Sequence, residues 1–290
     1  MRNLVNIGNK NIEVMLTGEG QCICILPGMA SSMDEWEIVV NGLAKQAKVI
    51  VFHRAGCGKS ELGEEKKNTN STVNDLYKLL GNLDIHDPVI LVGHSYGGLC
   101  VQHFAISHPN YVSAVILVEA NSTEMHLLND AIGSNQNKHM IEIWRLWSKM
   151  EPAQINSKLS SQSVPDLTNF SVEARERILQ FKINPKMYQA MAEEMEELEN
   201  SAQAIRVAGS FPLIPLTVIG RDPDYSVRLL TEQGMPEQLA KKIEDVWQEL
   251  ITKQLDLSKN SKYIKAEQSG HGVHIDRPDI IINAVLSVIS

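Results

Sequence analysis

The stretch Pro88-Val89-Ile90-Leu91-Val92-Gly93-His94-Ser95-Tyr96-Gly97 decides how this chain is read. Val89 to Val92 is an unbroken apolar run without polar alternation, the pattern of a strand covered on both faces. A Gly-x-Ser-x-Gly follows at once, and a predicted helix runs from Tyr96 to Ser107, closed by His108-Pro109. A serine on so tight a strand-to-helix turn projects its hydroxyl outward. The flanking glycines relieve the crowding that side chains would create there. The helix N-terminus behind it favours negative charge.

Working outward, the same rhythm recurs. Ile12 to Leu16, Cys22 to Leu26, Lys48 to Phe52 and Ala114 to Val118 read as strands. Trp36, Val39, Val40 and Leu43 fall at helical spacing, as do Val73, Leu76, Leu80 and Leu83, with Asn70, Ser71 or Thr72 available as N-cap. From Asn121 to about Ser210 no convincing strand occurs; Met140 to Trp147 and Tyr188 to Leu198 read as helices, and Pro152 and Pro165 punctuate the segment. Alternation resumes with Pro215 to Ile219, an amphipathic helix at Pro236 to Leu255, a strand at Lys262 to Lys265 and a last helix at Asp279 to Ile289. The expected fold class is α/β, a mostly parallel central sheet with helices on both faces. Residues 1–120 and 211–290 would form one core, interrupted by a helical insertion at 121–210.

Composition narrows the function. With 35 acidic against 27 basic side chains the net charge is −8, which disfavours nucleic acid and anionic lipid as partners. No uncharged apolar run approaches the roughly 18 residues of a membrane span. The N-terminal residues lack the apolar core of a signal peptide. Four cysteines make no disulfide framework, so reduced thiols in a cytoplasmic protein are expected, with Cys22 and Cys24 on opposite sides of their strand. Gly56-Cys57-Gly58-Lys59-Ser60 imitates a phosphate loop, but His53 stands where that motif requires glycine.

On the Gly93–Gly97 elbow and three further segments, the chain resembles the α/β-hydrolase superfamily over nearly its whole length. Leu26-Pro27-Gly28-Met29-Ala30-Ser31-Ser32 stands where the family has the loop after its third strand, and Arg54 to Ser60 resembles its next glycine-rich loop. Ser269 to Pro278, opening Ser269-Gly270-His271-Gly272, resembles its C-terminal histidine loop. The resemblance implies Ser95 as nucleophile, His271 rather than His274 as base, and the backbone N–H groups of Met29 and Tyr96 as oxyanion donors. Pro27-Gly28 replaces a frequent His-Gly, which removes a side chain that often braces this loop.

The acid stays open. The family's usual position offers Asp222 or Asp224, but Gly220 to Pro223 is one residue short of the usual spacing. Glu119, ending an earlier strand 24 residues past Ser95, fits a known variant and ranks first, with Asp222 the alternative.

The expected function is a serine hydrolase acting on a small-molecule carboxylic ester or related acyl substrate. Lactone, amide and carbon–carbon cleavage are variants of it. A non-catalytic ligand-binding or signalling protein and an aminopeptidase are the rivals. No metal, nucleotide or organic cofactor is implied. By resemblance the insertion is a cap. Its methionines suit either an adaptable pocket or plain packing, and Glu193, Glu194, Glu196, Glu197 and Glu199 read as a solvated helix face.

Overall fold

A computed structural model describes residues 2–132, 135–159 and 167–289. Pro165, and parts of the 121–210 interval, lie outside the described residues. Eight strands form one sheet: β1 (Arg2–Asn6), β2 (Asn11–Thr17), β3 (Cys22–Leu26), β4 (Lys48–Phe52), β5 (Val89–His94), β6 (Val112–Val118), β7 (Leu216–Arg221) and β8 (Ser261–Ala266). Their spatial order is β1-β2-β4-β3-β5-β6-β7-β8. β1 and β2 are antiparallel, whereas β4 and β3 through β8 pair in parallel.

The apolar runs divide between two layers because strand side chains alternate. Ile23, Ile25, Val49, Val51, Ile90 and Val92 face one side, with α1 (Glu37–Leu43) and, near the C-terminus, a helix at Pro278–Leu286. Cys24, Leu26, Ile50 and Leu91 face the other, under α2 (Thr69–Asn82) and α3 (Tyr96–Ser107). Cys22 and Cys24 therefore share a face, contrary to the expectation, since residues two apart on a strand point the same way. The N-cap of α2 is Asn68, outside the residues proposed for it, in a reciprocal capping box with Ser71.

Between β6 and β7 the described residues form helices: α4 (His126–Ile132), α5 (Asn135–Trp147), α6 (Pro152–Leu159), α7 (Val172–Lys182), α8 (Pro185–Glu196) and α9 (Leu198–Ala208). Ile155, Phe181, Met187, Tyr188 and Met191 make a small core of their own, closed by Cys57 from the loop after β4. Met187 and Met191 are thus packing residues. After β7 come α10 (Pro223–Glu232), α11 (Glu237–Lys253), a short α12 (Val273–Asp276) and α13, the Pro278–Leu286 helix already placed under the sheet. Among the described residues no helix is long and apolar enough to cross a membrane.

Candidate active site

Ser95 stands between β5 and α3 with φ 51° and ψ −121°. A non-glycine residue held at positive φ is strained and persists only where its surroundings enforce it. The enforcement is visible in the neighbouring glycines. A Cβ on Gly93 would come within 2.5 Å of Val101 Cγ2, and one on Gly97 within 2.1 Å of the Leu26 carbonyl oxygen. A Cβ on Gly28 would lie 3.0 Å from Ser95 Cβ, so the loop after β3 rests directly on the elbow. That loop carries Met29, and Tyr96 opens α3, where backbone N–H groups have no intrahelical partner.

Glu119 ends β6, also at positive φ (46°), and is fully buried. Its Oε2 lies 3.1 Å from His271 Nδ1 and accepts from Trp247 Nε1 at 2.9 Å; its Oε1 accepts from the Arg221 amide at 2.8 Å. Arg221 Nη1 stands 3.4 Å away and is itself held by Glu244. The imidazole of His271 is 42% exposed, so one side of it faces solvent. His94, the residue before Ser95, donates from Nε2 to the His271 carbonyl at 2.9 Å, and the two rings lie 4.8 Å apart. This fastens the histidine loop to the serine's own turn. Burial, with His274 and His271 close by, holds the His94 pKa well below its ordinary value.

Ser95 Oγ donates to Asn121 Oδ1 at 3.4 Å, and no hydrogen bond joins Ser95 to His271 among the described residues. Asp222 is elsewhere. It caps α10, accepting from the amides of Asp224 (3.1 Å) and Tyr225 (3.4 Å), and its other oxygen accepts from Gln268 N–H at 3.0 Å. The Gln268 N–H is the main cause of its lowered pKa. The structure thus brings Glu119, not Asp222 or Asp224, against His271. His274 is buried, stacked on Trp36 at 4.6 Å with Nε2 3.7 Å from Glu35, and among the described residues no group of side chains suits a metal.

The four cysteines are buried and free; burial pushes the thiols of Cys22, Cys57 and Cys100 up to about 12, which makes them poor nucleophiles. The imitation phosphate loop is spent on structure: Ser60 Oγ donates to the His53 carbonyl and accepts from Glu13 N–H, and the next helix begins only at Thr69.

A cavity of about 390 Å³ opens beside His271, walled by Asn121, Leu128, Leu230, Met235, Ile243 and Trp247, with Arg221 and Ser226. Hollows of about 520 and 590 Å³ lie elsewhere and touch neither Ser95 nor His271.

Several residues of the site have no signature in the sequence. Trp247 and Arg221 complete the hydrogen bonds of Glu119 from α11 and β7. Glu194, expected on a solvated face, is 2% exposed and grips Arg54 with both oxygens. A buried arginine demands an acidic partner, but five glutamates of one segment compete for that role by sequence alone.

A family model for the alpha/beta hydrolase fold matches residues 21–198, more than half of the chain. An "AB hydrolase superfamily protein" of Gibberella zeae is 24% identical over 284 residues, covering 90% of this chain and 84% of the relative. Among solved structures, the epoxide hydrolase CorEH superposes with a TM-score of 0.65 at 19% identity, covering 99% of this chain and 97% of the other. A thermophilic esterase from Thermogutta terrifontis superposes with a TM-score of 0.67 at 16% identity over the full length of both chains. At these identities the structural likeness is one of fold.

Proposed function

Given that the chain belongs to the alpha/beta hydrolase fold family, we propose that it is a serine hydrolase that cleaves a neutral carboxylic ester or related acyl substrate through an acyl-enzyme. The observation that carries this reading is the hydrogen bond from His271 Nδ1 to the buried Glu119, made by a loop that His94 ties to the Ser95 turn. With Nδ1 committed to the carboxylate, the basic lone pair of the ring lies on Nε2, the nitrogen a general base uses. Attack requires the Ser95 hydroxyl to leave Asn121 and turn toward Nε2; such contacts are often long before substrate binds. His271 then takes the proton, Oγ bonds to the carbonyl carbon, and the developing oxyanion receives the N–H groups of Met29 and Tyr96. The proton passes to the leaving group, and a water deprotonated by His271 releases the acid.

Epoxide hydrolases and esterases both share the fold, and the side chain at position 95 chooses between them. A serine oxygen that opened an epoxide would form an ether, which water does not cleave under these conditions. Attack on an acyl carbon forms an ester, which it does. The aliphatic wall of the 390 Å³ cavity, which carries no carboxylate among the described residues, favours an uncharged acyl or alkyl group over the ammonium of an aminopeptidase substrate. Residues 121–210 would act as the cap. Ser95→Ala is expected to abolish both fluorophosphonate labelling and turnover of 4-nitrophenyl acetate while the circular dichroism spectrum is unchanged. Full labelling of that variant would remove Ser95 from the mechanism. A wild type that neither turns over esters nor accepts the probe would favour the ligand-binding rival.

A further inference from the structure

Arg54, first residue of the Arg54–Ser60 loop, is buried, and its guanidinium is shared between two parts of the molecule. On one side it donates to the carbonyls of Pro27 and, at 3.3 Å, Gly28, the two peptides before Met29. On the other it forms a two-pronged pair with Glu194 of α8, Nε to Oε1 at 2.6 Å and Nη2 to Oε2 at 2.9 Å. Its planar face lies 5.0 Å above the ring of Tyr96. The rest of the loop is held by the same helix and its N-cap: Lys186 Nζ donates to the Ser60 carbonyl at 2.6 Å, Asn184 Nδ2 to that of Gly58 at 3.2 Å, and a Cβ on Gly56 would strike Ala190 at 2.7 Å.

We propose that Glu194, acting through Arg54, is a positioning residue for the oxyanion loop, so that a helix of the insertion sets the aim of the Met29 N–H. Two carbonyls caught by one rigid fork fix the plane of the Gly28–Met29 peptide more firmly than a single bond would. Arg54 alone could swing, since its stem is flexible. Glu194 occupies two of the three remaining N–H directions and removes that freedom. The fork thus performs the bracing that the Pro27-Gly28 sequence lacks.

The oxyanion role of Met29 rests on the serine-hydrolase reading, so the test carries one readout that does not. In Arg54→Met/Glu194→Met, both members of the buried pair become apolar side chains of similar reach, which leaves no orphaned charge. The double variant is expected to fold, to lose about 10- to 100-fold in kcat for 4-nitrophenyl acetate, and to keep KM within about threefold, because oxyanion donors act mainly in the transition state. Hydrogen exchange of the peptide spanning residues 26–33 is expected to quicken at least about tenfold. A merely structural pair would lower the melting temperature and leave kcat intact in the folded variant; that result overturns the proposal. If wild type turns over no ester, the serine-hydrolase reading fails, and exchange alone decides: unchanged protection of residues 26–33 overturns the clasp, faster exchange supports it. Should the double variant not fold, Glu194→Gln is read by the same measurements and the same outcomes.

Discussion

At the scale of single residues, Glu119 is the informative one, because donors hold both oxygens of its buried carboxylate. Trp247 N–H, the Arg221 amide and His271 all converge on two oxygens with no access to water. A glutamine there must turn its NH2 group toward one of those donors, which leaves a buried clash and destroys the preference for the Nδ1–H tautomer of His271. Glu119→Gln is therefore expected to cut kcat about 10²- to 10⁴-fold with little change in KM. Asp222→Asn keeps an oxygen for the α10 cap and loses only polish on the Gln268 turn, so less than about a tenfold loss is expected. Steady-state kinetics of the two variants on one ester reverse the assignment if Asp222→Asn is the more damaged. The contrast explains what was legible. Ser95 and His271 sit in short local patterns, the glycine-flanked elbow and the Gly-His-Gly loop. Glu119 has no such pattern, and its contact with a histidine 152 positions away is decided by how β6, β7 and β8 lie side by side. Sequence therefore ranks the Glu119 strand end first and leaves Asp222 open.

At the scale of elements, the legible ones are those whose burial is uniform. β3, β5 and β6 are almost wholly buried and read as unbroken aliphatic runs. β1 is an exposed edge strand with the mixed sequence Arg2-Asn3-Leu4-Val5-Asn6, and nothing in its pattern announces it. α10 escapes notice for another reason: it is short, and Ser226 is its one buried residue, so its apolar side chains are only half-buried. Yet α10 and α11 build the wall of the cavity at His271, through Leu230, Ile243 and Trp247. Leu230, half-buried and at that wall, tests whether the cavity takes the substrate's apolar part. Leu230→Trp adds an indole to a space of about 390 Å³. It is expected to depress kcat/KM for a 4-nitrophenyl hexanoate about tenfold or more relative to the acetate, since pocket discrimination of aliphatic groups runs about 10- to 200-fold. Equal losses on both esters would place the acyl chain elsewhere.

At the scale of the whole molecule, the antiparallel edge of the sheet is joined to the rest through charge as well as through the β2–β4 ladder. Glu13 on β2 receives His53 Nδ1 at 2.8 Å and the Lys59 amide at 2.8 Å, while Met33 N–H donates to His53 Nε2 at 2.9 Å. The space is so tight that Gly58, at φ 52°, has its missing Cβ position 2.1 Å from His53 Nδ1. Burial by itself would raise the Glu13 pKa, but the His53 hydrogen bond, the Lys59 N–H and Arg2 outweigh it and hold the group at about 2, down from 4.5. A carboxylate whose pKa is depressed by folding contributes fully above its unfolded value and loses that contribution as pH falls through the folded one. The contribution, about 2 kcal/mol after allowance for screening, is thus present at pH 7 and withdrawn between pH 4.5 and about 2. Unfolding free energies of wild type and Glu13→Gln from urea titrations are expected to differ by that amount at neutral pH and to converge below pH 4.5, with more than half of the gap closed by about pH 3. A gap that stays constant from pH 7 to pH 3 would mean that Glu13 holds the edge by shape alone, and the charge on β2 would have no part in keeping the sheet closed.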